Sequence, residues 1–355
     1  MKKFIVISQN TNIKNFDTLN SADLCSIGMM VNKLDNMEGY ILMTKKNIAN
    51  NINITPLIPI SFEEAIEIEF DMVLTSELSF NAFGGVPNPH YMELVNYCQK
   101  YENTPIFMYY LDRKNLMAPI CRRASMRNLI LKNPVVAVIS YEIEHFIKNT
   151  KDNVSNVKDI IEVDLHTYSP FILKYYKDIF IDRNVENFNP DLIYGGVFRK
   201  DRKDFFDTYL SADNVDYKVE VYGSLNKKEY GLIKSKNIPQ TKVVSKNSTA
   251  QAVILPPENG YGSGKVVQVR AYESFASQAV TFIHNQYDPD RMLLPNTPYR
   301  YFETYEEFVE KLNEIKNNKE LRDILIEDQN KFIENFEPDL SLLKSTVEKV
   351  LSYGK

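Results

Sequence analysis

Apolar and polar positions alternate along this chain on two periods. Short runs rich in β-branched and aromatic residues recur: FIVIS at 4–8, GYILMT at 39–44, DMVLTS at 71–76, PIFMYYL at 105–111 and VVAVIS at 135–140. Their length and composition predict strands. HYMELVNYCQKY at 90–101 has helical spacing and lies between two of them. Strands separated by helices need crossover connections, so the first half predicts an α/β unit with a mainly parallel sheet. A second set, DLIYGG at 191–196, YKVEVYG at 217–223 and AQAVILP at 250–256, alternates with the helical DRKDFFDTYLS and RAYESFASQAV. It predicts a second α/β unit. Residues 165–190 mix aromatics, charges, Pro170 and Pro190 without alternation, which suits an interdomain connection. From Thr304, a capping box with Glu307 opens a helix that places Phe308, Leu312 and Ile315 on one face, and helical sequence continues to about residue 350.

Composition narrows the class. With 355 residues, 44% hydrophobic and 25% charged, the chain has material for two cores, and wholesale disorder is excluded. The formal charge of −5 excludes coating of nucleic acid through overall charge and leaves a local basic patch as the means of phosphate binding. Cys25, Cys98 and Cys121 form no C-x-x-C pair, so neither a disulfide framework nor a zinc site is indicated. His90, His145, His166 and His284 lack metal-ligand spacing. The five-residue apolar run near the N-terminus is too short for a signal peptide, and no 18-residue apolar stretch follows. A cytoplasmic location without membrane contact is expected.

Candidate chemistry comes from a few stretches. GYGSGK at 260–265 is not a phosphate loop, because Asn259 stands where its first glycine belongs and Val266 follows Lys265. No G-x-G-x-x-G joins an early strand to a helix, which disfavours a dinucleotide oxidoreductase. In DLIYGGVFRKDRK, two glycines end a strand and Arg199, Arg202 and Lys203 follow. This reads either as a diphosphate-binding turn or as a basic solvated loop. Arg270 and Glu273 are three apart and share a helix face, as a phosphate and ribose pair or as an ordinary ion pair. Asp112 ends a strand where open α/β sheets bind ligands, and is either a general base or a turn residue. The segment 112–132 carries Arg113, Lys114, Arg122, Arg123, Arg127 and Lys132 against Asp112 alone, which makes an anionic acceptor plausible. FNAFGGVPNP at 80–89 forms a loop in which Phe83 is either packed inward or free to stack on a base.

Taken in order, DLIYGGVFR, NIPQTKVVSKNS, VRAYESFASQAV and NAFGGVPN, supported by NFDTLNSAD, resemble the DNA β-glucosyltransferase family of T-even bacteriophages, enzymes of the GT-B fold. The resemblance implies an acceptor-binding Rossmann-like domain over 1–175, a nucleotide-sugar domain over 176–335, and a C-terminal helix at 336–355 that packs back on the first domain. It places Arg199 and Arg270 on the donor phosphates, Glu273 on the ribose and the Ile238 backbone on uracil. The second arginine after the glycines falls at Lys203 without a gap or at Arg202 with one. Gly196 approaches the diphosphate by its backbone, while Val197 stands where the family has serine. Asp112 matches the catalytic base, and Asp23 replaces a glutamate that contacts the sugar. Asn81, Phe83 and Gly84 match the loop that enters DNA, and Arg122 and Arg123 are candidate DNA contacts.

The implied reaction is inverting transfer of glucose from UDP-glucose to the hydroxymethyl group of 5-hydroxymethylcytosine in duplex DNA, by a monomer in the host cytoplasm. No tightly bound cofactor is implied, although Mg or Mn could assist product release. Alternatives are another nucleotide sugar, an acceptor such as hydroxymethyluracil or a glycosylated base, and a noncatalytic nucleotide-sugar or DNA-binding protein. The joint presence of Asp112, Arg199, Arg270 and Glu273 counts against the last.

Overall fold

The computed structural model describes residues 1–7, 22–49, 55–76, 89–110, 132–139, 157–163, 173, 188–196, 202–211, 215–223, 235–236, 238, 242–257, 269–337 and 339–354. The chain divides into two compact units, Met1–Ile172 with Pro338–Lys355, and Leu173–Glu337. Among the described residues, no helix is long and apolar enough to cross a membrane.

The first unit carries β1 (Lys2–Ile7), β2 (Met37–Leu42), β3 (Ile58–Ile60), β4 (Met72–Ser76), β5 (Ile106–Tyr110), β6 (Val135–Ile139) and β7 (Val157–Glu162). They form a parallel sheet in the order β3-β2-β1-β4-β5-β6-β7. Strand β1 is interior to the sheet, and Phe4, Ile5, Val6 and Ile7 are all buried, as a strand covered on both faces requires. The helices are α1 (Ala22–Val31), α2 (Lys45–Ala49), α3 (Phe62–Ala65) and α4 (Pro89–Lys100). Helix α4 places Leu94, Tyr97 and Cys98 in one core with Ile5, Val73, Ile106 and Met108. The Tyr97 hydroxyl is satisfied there, accepting from the Phe70 amide at 2.8 Å and donating to the Ile68 carbonyl at 3.0 Å. Burial alone pushes the Cys98 thiol far above its usual range, which marks it as an inert core residue. The C-terminal helix Ser341–Leu351 belongs to this unit, packs against α1 and β5, and buries Leu343, Val347 and Val350.

The second unit carries β8 (Leu192–Gly195), β9 (Val219–Tyr222), β10 (Ser235–Lys236), β11 (Ala252–Leu255), β12 (Val280–His284) and β13 (Tyr301–Phe302). They too are parallel, in the order β10-β9-β8-β11-β12-β13. Helix α5 (Lys203–Phe205) widens into a π-helical turn over Phe206–Leu210, followed by α6 (Val243–Asn247), α7 (Val269–Phe275), α8 (Tyr305–Asn317) and α9 (Lys319–Glu334). Thr304 caps α8 by accepting from the Glu307 amide at 3.2 Å, while the Glu307 carboxylate reaches the Glu303 amide at 2.9 Å. Phe308 on α8 is fully buried, with ring centres of Phe302, Phe282, Tyr209 and Tyr217 between 5.1 and 5.9 Å away. This aromatic layer locks α8 and the π turn onto the sheet.

The second unit departs from the sequence reading at the two-residue strands β10 and β13, which no pattern announces, and in one longer stretch. RAYESFASQAV is helical only to Phe275, and Val280 already begins β12, a strand that the helical spacing conceals. The helix stops where Ser277 donates to the Ser274 carbonyl at 2.7 Å and the Gln278 amide donates to Ser248 at 3.0 Å, so side chains take over the bonds that would continue it. In the first unit, β3 and β7 also have no counterpart in the sequence pattern: one has three residues, and the other is an edge strand with no fully buried position.

Candidate functional site

Strand β8 lies at the point where strand order reverses, with β9 on one side and β11 on the other. In an open parallel sheet, the carboxyl end of such a strand is where ligands bind. Here that end reads Tyr194-Gly195-Gly196, and each glycine is required by a neighbour. A Cβ on Gly195 would stand 2.3–2.5 Å from the Tyr222 ring. At Gly196 it would stand 2.9 Å from both the Tyr194 hydroxyl and Arg270 Nη2. Gly223, just past β9, has φ of +122° and lies so close that a Cβ would meet the Gly196 carbonyl oxygen at 2.1 Å.

The Gly196 amide donates to the Tyr222 carbonyl at 2.9 Å, extending the ladder between β8 and β9 by one residue. What Gly196 offers at this place is therefore the room left by its missing side chain. That room is filled by cations. Arg202, immediately before α5, is buried and donates from Nη1 to the Tyr194 hydroxyl at 3.2 Å. Arg270, near the start of α7, donates from its own Nη1 to the same oxygen, also at 3.2 Å, and lies 5.3 Å from the centre of the Tyr194 ring. The ring is held from below by Phe205 and Phe206, each 5.4 Å away between centres.

Glu273, one turn along α7, is buried beside this cluster. The Tyr222 phenol donates to Asn247 Oδ1 at 2.5 Å. Burial first, and then the Glu273 carboxylate, hold its proton far above the usual range against the opposing pull of Arg270. Two arginines, two phenols and one carboxylate thus meet at one strand end. Such a place suits an anion bearing several oxygens.

The helix carrying Arg270 and Glu273 is anchored from behind. Gln329 on α9 donates to the carbonyls of Ser274, Ser277 and Ala279, and its own oxygen accepts from Arg300 Nη1 at 3.1 Å. Arg300 is fully buried, its guanidinium pulled down to about 10 by burial while Asp328 at 3.1 Å works to keep the charge. The network fixes where α7 ends, and hence where Arg270 begins.

The structure distributes the sequence candidates unevenly. It brings together Gly196, Arg202, Arg270 and Glu273. Ile238 is half-buried and packs against the small core that includes Tyr222, Ile193 and Val243. Lys203, the alternative to Arg202 for one place at the diphosphate, faces solvent and pairs with Asp207 four residues on. Asp23 lies in the first turn of α1, and its side chain is outside the described residues. Asp112, Arg199, Asn81, Phe83, Gly84, Arg122 and Arg123 also lie outside them. Tyr194, Tyr222 and Gly223 do not stand out in the sequence. The signal available for the first is a hydroxyl inside an otherwise apolar run.

No protein-family profile matches the chain. It is 22% identical over 345 residues to the DNA β-glucosyltransferase of Enterobacteria phage T4, spanning 90% of this chain and 91% of that protein. The T4 phage enzyme solved with UDP and Mn2+ superposes with a TM-score of 0.65 at 19% identity, over 98% of this chain and 99% of that one. A mutant of it in complex with UDP-glucose gives 0.65 at 18% identity, over 99% and 97%. The chain shares the fold of the T4 β-glucosyltransferase. Its two parallel-sheet units and helical C-terminus are those of the GT-B architecture expected from the motifs. Among the described residues, no group of three or more histidines, cysteines or carboxylates stands together to hold a metal ion.

Gly223→Ala tests the glycine contacts at this strand end. With φ at +122° and a Cβ directed at the Gly196 carbonyl, the substitution is expected to destabilise the protein by at least about 1–3 kcal/mol, read by urea titration. An unchanged midpoint would mean that the two strand ends part easily.

Proposed function

We propose that this protein is a UDP-glucose-dependent glycosyltransferase that transfers glucose, with inversion, to the hydroxymethyl group of 5-hydroxymethylcytosine in duplex DNA. The observation that carries the reading is the convergence of Arg202 and Arg270 on the Tyr194 hydroxyl, at the carboxyl end of β8. It gains force because the chain is colinear with a DNA β-glucosyltransferase over nearly its full length.

In this reading, the second unit binds the donor. Arg202 and Arg270, with Arg199, engage the diphosphate, Glu273 accepts from the ribose hydroxyls, and the backbone at Ile238 meets the uracil. The first unit presents the acceptor, with Asn81, Phe83 and Gly84 entering DNA at the extruded base and Arg122 and Arg123 on phosphates. Asp112 accepts the proton of the hydroxymethyl group as its oxygen forms a bond to the anomeric carbon. The bond from that carbon to the UDP oxygen breaks on the opposite face, and UDP leaves with the electron pair. Negative charge grows on the diphosphate during this step, so fixed guanidiniums stabilise the transition state more than the bound donor. The stabilisation assigned here rests on arginine.

Asp23 motivates a second reading of the same site, in which the sugar is not glucose. A carboxylate one methylene shorter than glutamate alters the reach to the sugar hydroxyls. Incubation with a panel of nucleotide sugars and oligonucleotides containing 5-hydroxymethylcytosine or hydroxymethyluracil, followed by intact-mass analysis, separates the two.

Three outcomes are expected. A mass gain of one hexose appears with UDP-glucose and 5-hydroxymethylcytosine DNA, and Asp112→Asn lowers that rate by about 10²–10⁴; full activity of the variant removes Asp112 from the base role. In calorimetry, Arg202→Ala weakens UDP binding by about tenfold or more, whereas Lys203→Ala changes it by less than about twofold. The reverse order would hand the diphosphate to Lys203. For DNA, Arg122→Ala with Arg123→Ala flattens the salt dependence of binding by roughly one unit of log–log slope for each phosphate the two arginines neutralise; an unchanged slope places both arginines off the DNA.

A further inference from the structure

Tyr194 has three hydrogen-bonding positions on its hydroxyl, two acceptor lone pairs and one donor proton. Both acceptor positions are used by cations, Arg202 Nη1 and Arg270 Nη1, each at 3.2 Å. The phenol itself is fully buried, and its ring is fixed by the edge-on Phe206 and the tilted Phe205. The hydroxyl cannot wander, so neither can the two nitrogens resting on it. A guanidinium is a rigid planar fork, and pinning one Nη sets the directions of its other donors.

Each charge-assisted bond to the phenol oxygen is favourable, but bringing two like charges onto one oxygen makes them repel each other. An anion that bridges the two forks relieves their mutual repulsion. Gly196 preserves the geometry, since a Cβ there would stand 2.9 Å from both the Tyr194 hydroxyl and Arg270 Nη2.

We propose that Tyr194 is a positioning residue, which sets the spacing of Arg202 and Arg270 so that the two forks grip both phosphates of a nucleoside diphosphate together. It thereby makes the site selective for a diphosphate over a monophosphate. Tyr194 acts through the arginines from beneath them, with no contact of its own to the ligand. The inference rests on reading this site as the seat of a UDP-sugar.

The test is calorimetric titration of the full chain and its Tyr194→Phe variant with UDP, UMP and uridine. The variant keeps the ring that packs on Phe205 and Phe206 and removes only the shared oxygen. UDP affinity is expected to fall by about tenfold or more, with UMP and uridine within about twofold of wild type, so the ratio of UDP to UMP affinity collapses. An unchanged ratio overturns the proposal, and so does an equal loss for all three ligands, which is what a purely structural role would give. If wild type binds none of the three, the UDP-sugar reading fails and this inference falls with it. Should Tyr194→Phe not fold, Gly196→Ala reads the spacing itself, since its methyl group would press on both the shared oxygen and Arg270 Nη2: the ratio must fall, and its persistence overturns the proposal equally.

Discussion

Two guanidiniums share one buried phenol oxygen at the end of β8, and three elements of the second unit hold that contact in place. Like charges do not gather without compensation, and burial raises the cost of keeping them together. The contact exists because each participant is held by a separate element. Tyr194 is fixed by the sheet and two phenylalanines, Arg202 by the start of α5, and Arg270 by α7. Helix α7 is in turn tied by Gln329 and Arg300 to β12 and α9. A core of hydrogen bonds thus stands behind the two cations.

The glycines belong to the same constraint. Gly195 makes room for the Tyr222 ring, Gly196 for the Tyr194 hydroxyl and Arg270, and Gly223 for the Gly196 carbonyl. A side chain at any of the three would separate groups that now touch. The strand end therefore offers charge through its arginines and access through its missing Cβ atoms, while the Gly196 amide remains part of the sheet ladder.

Much of this fold is legible in the sequence, for reasons that can be named. FIVIS, DMVLTS and VVAVIS are dense in β-branched residues because their strands are buried on both faces, and each pattern falls within about two residues of its strand. The cap at Thr304 and the face bearing Phe308, Leu312 and Ile315 are legible because a helix start and a 3.6-residue period are local signals. The end of α7 is not, since tertiary bonds from Ser248 and Gln329 decide it. Nor can the sequence choose between Arg202 and Lys203. That choice depends on the phase with which the chain enters α5, and one residue of rotation exchanges a buried cation for a solvated one. Tyr194 escapes notice because a tyrosine in an apolar run reads as core, and its hydroxyl gains meaning only when two distant arginines reach it.

The central claim is that these two arginines, spaced by Tyr194, form the seat of a nucleoside diphosphate. A crystal structure of the protein with UDP tests it most directly. The account predicts oxygens of both phosphates within hydrogen-bonding distance of the Arg202 and Arg270 guanidiniums, above an undisturbed Tyr194, with Lys203 still paired to Asp207. A diphosphate bound through Lys203, or one seated away from the end of β8, would contradict it.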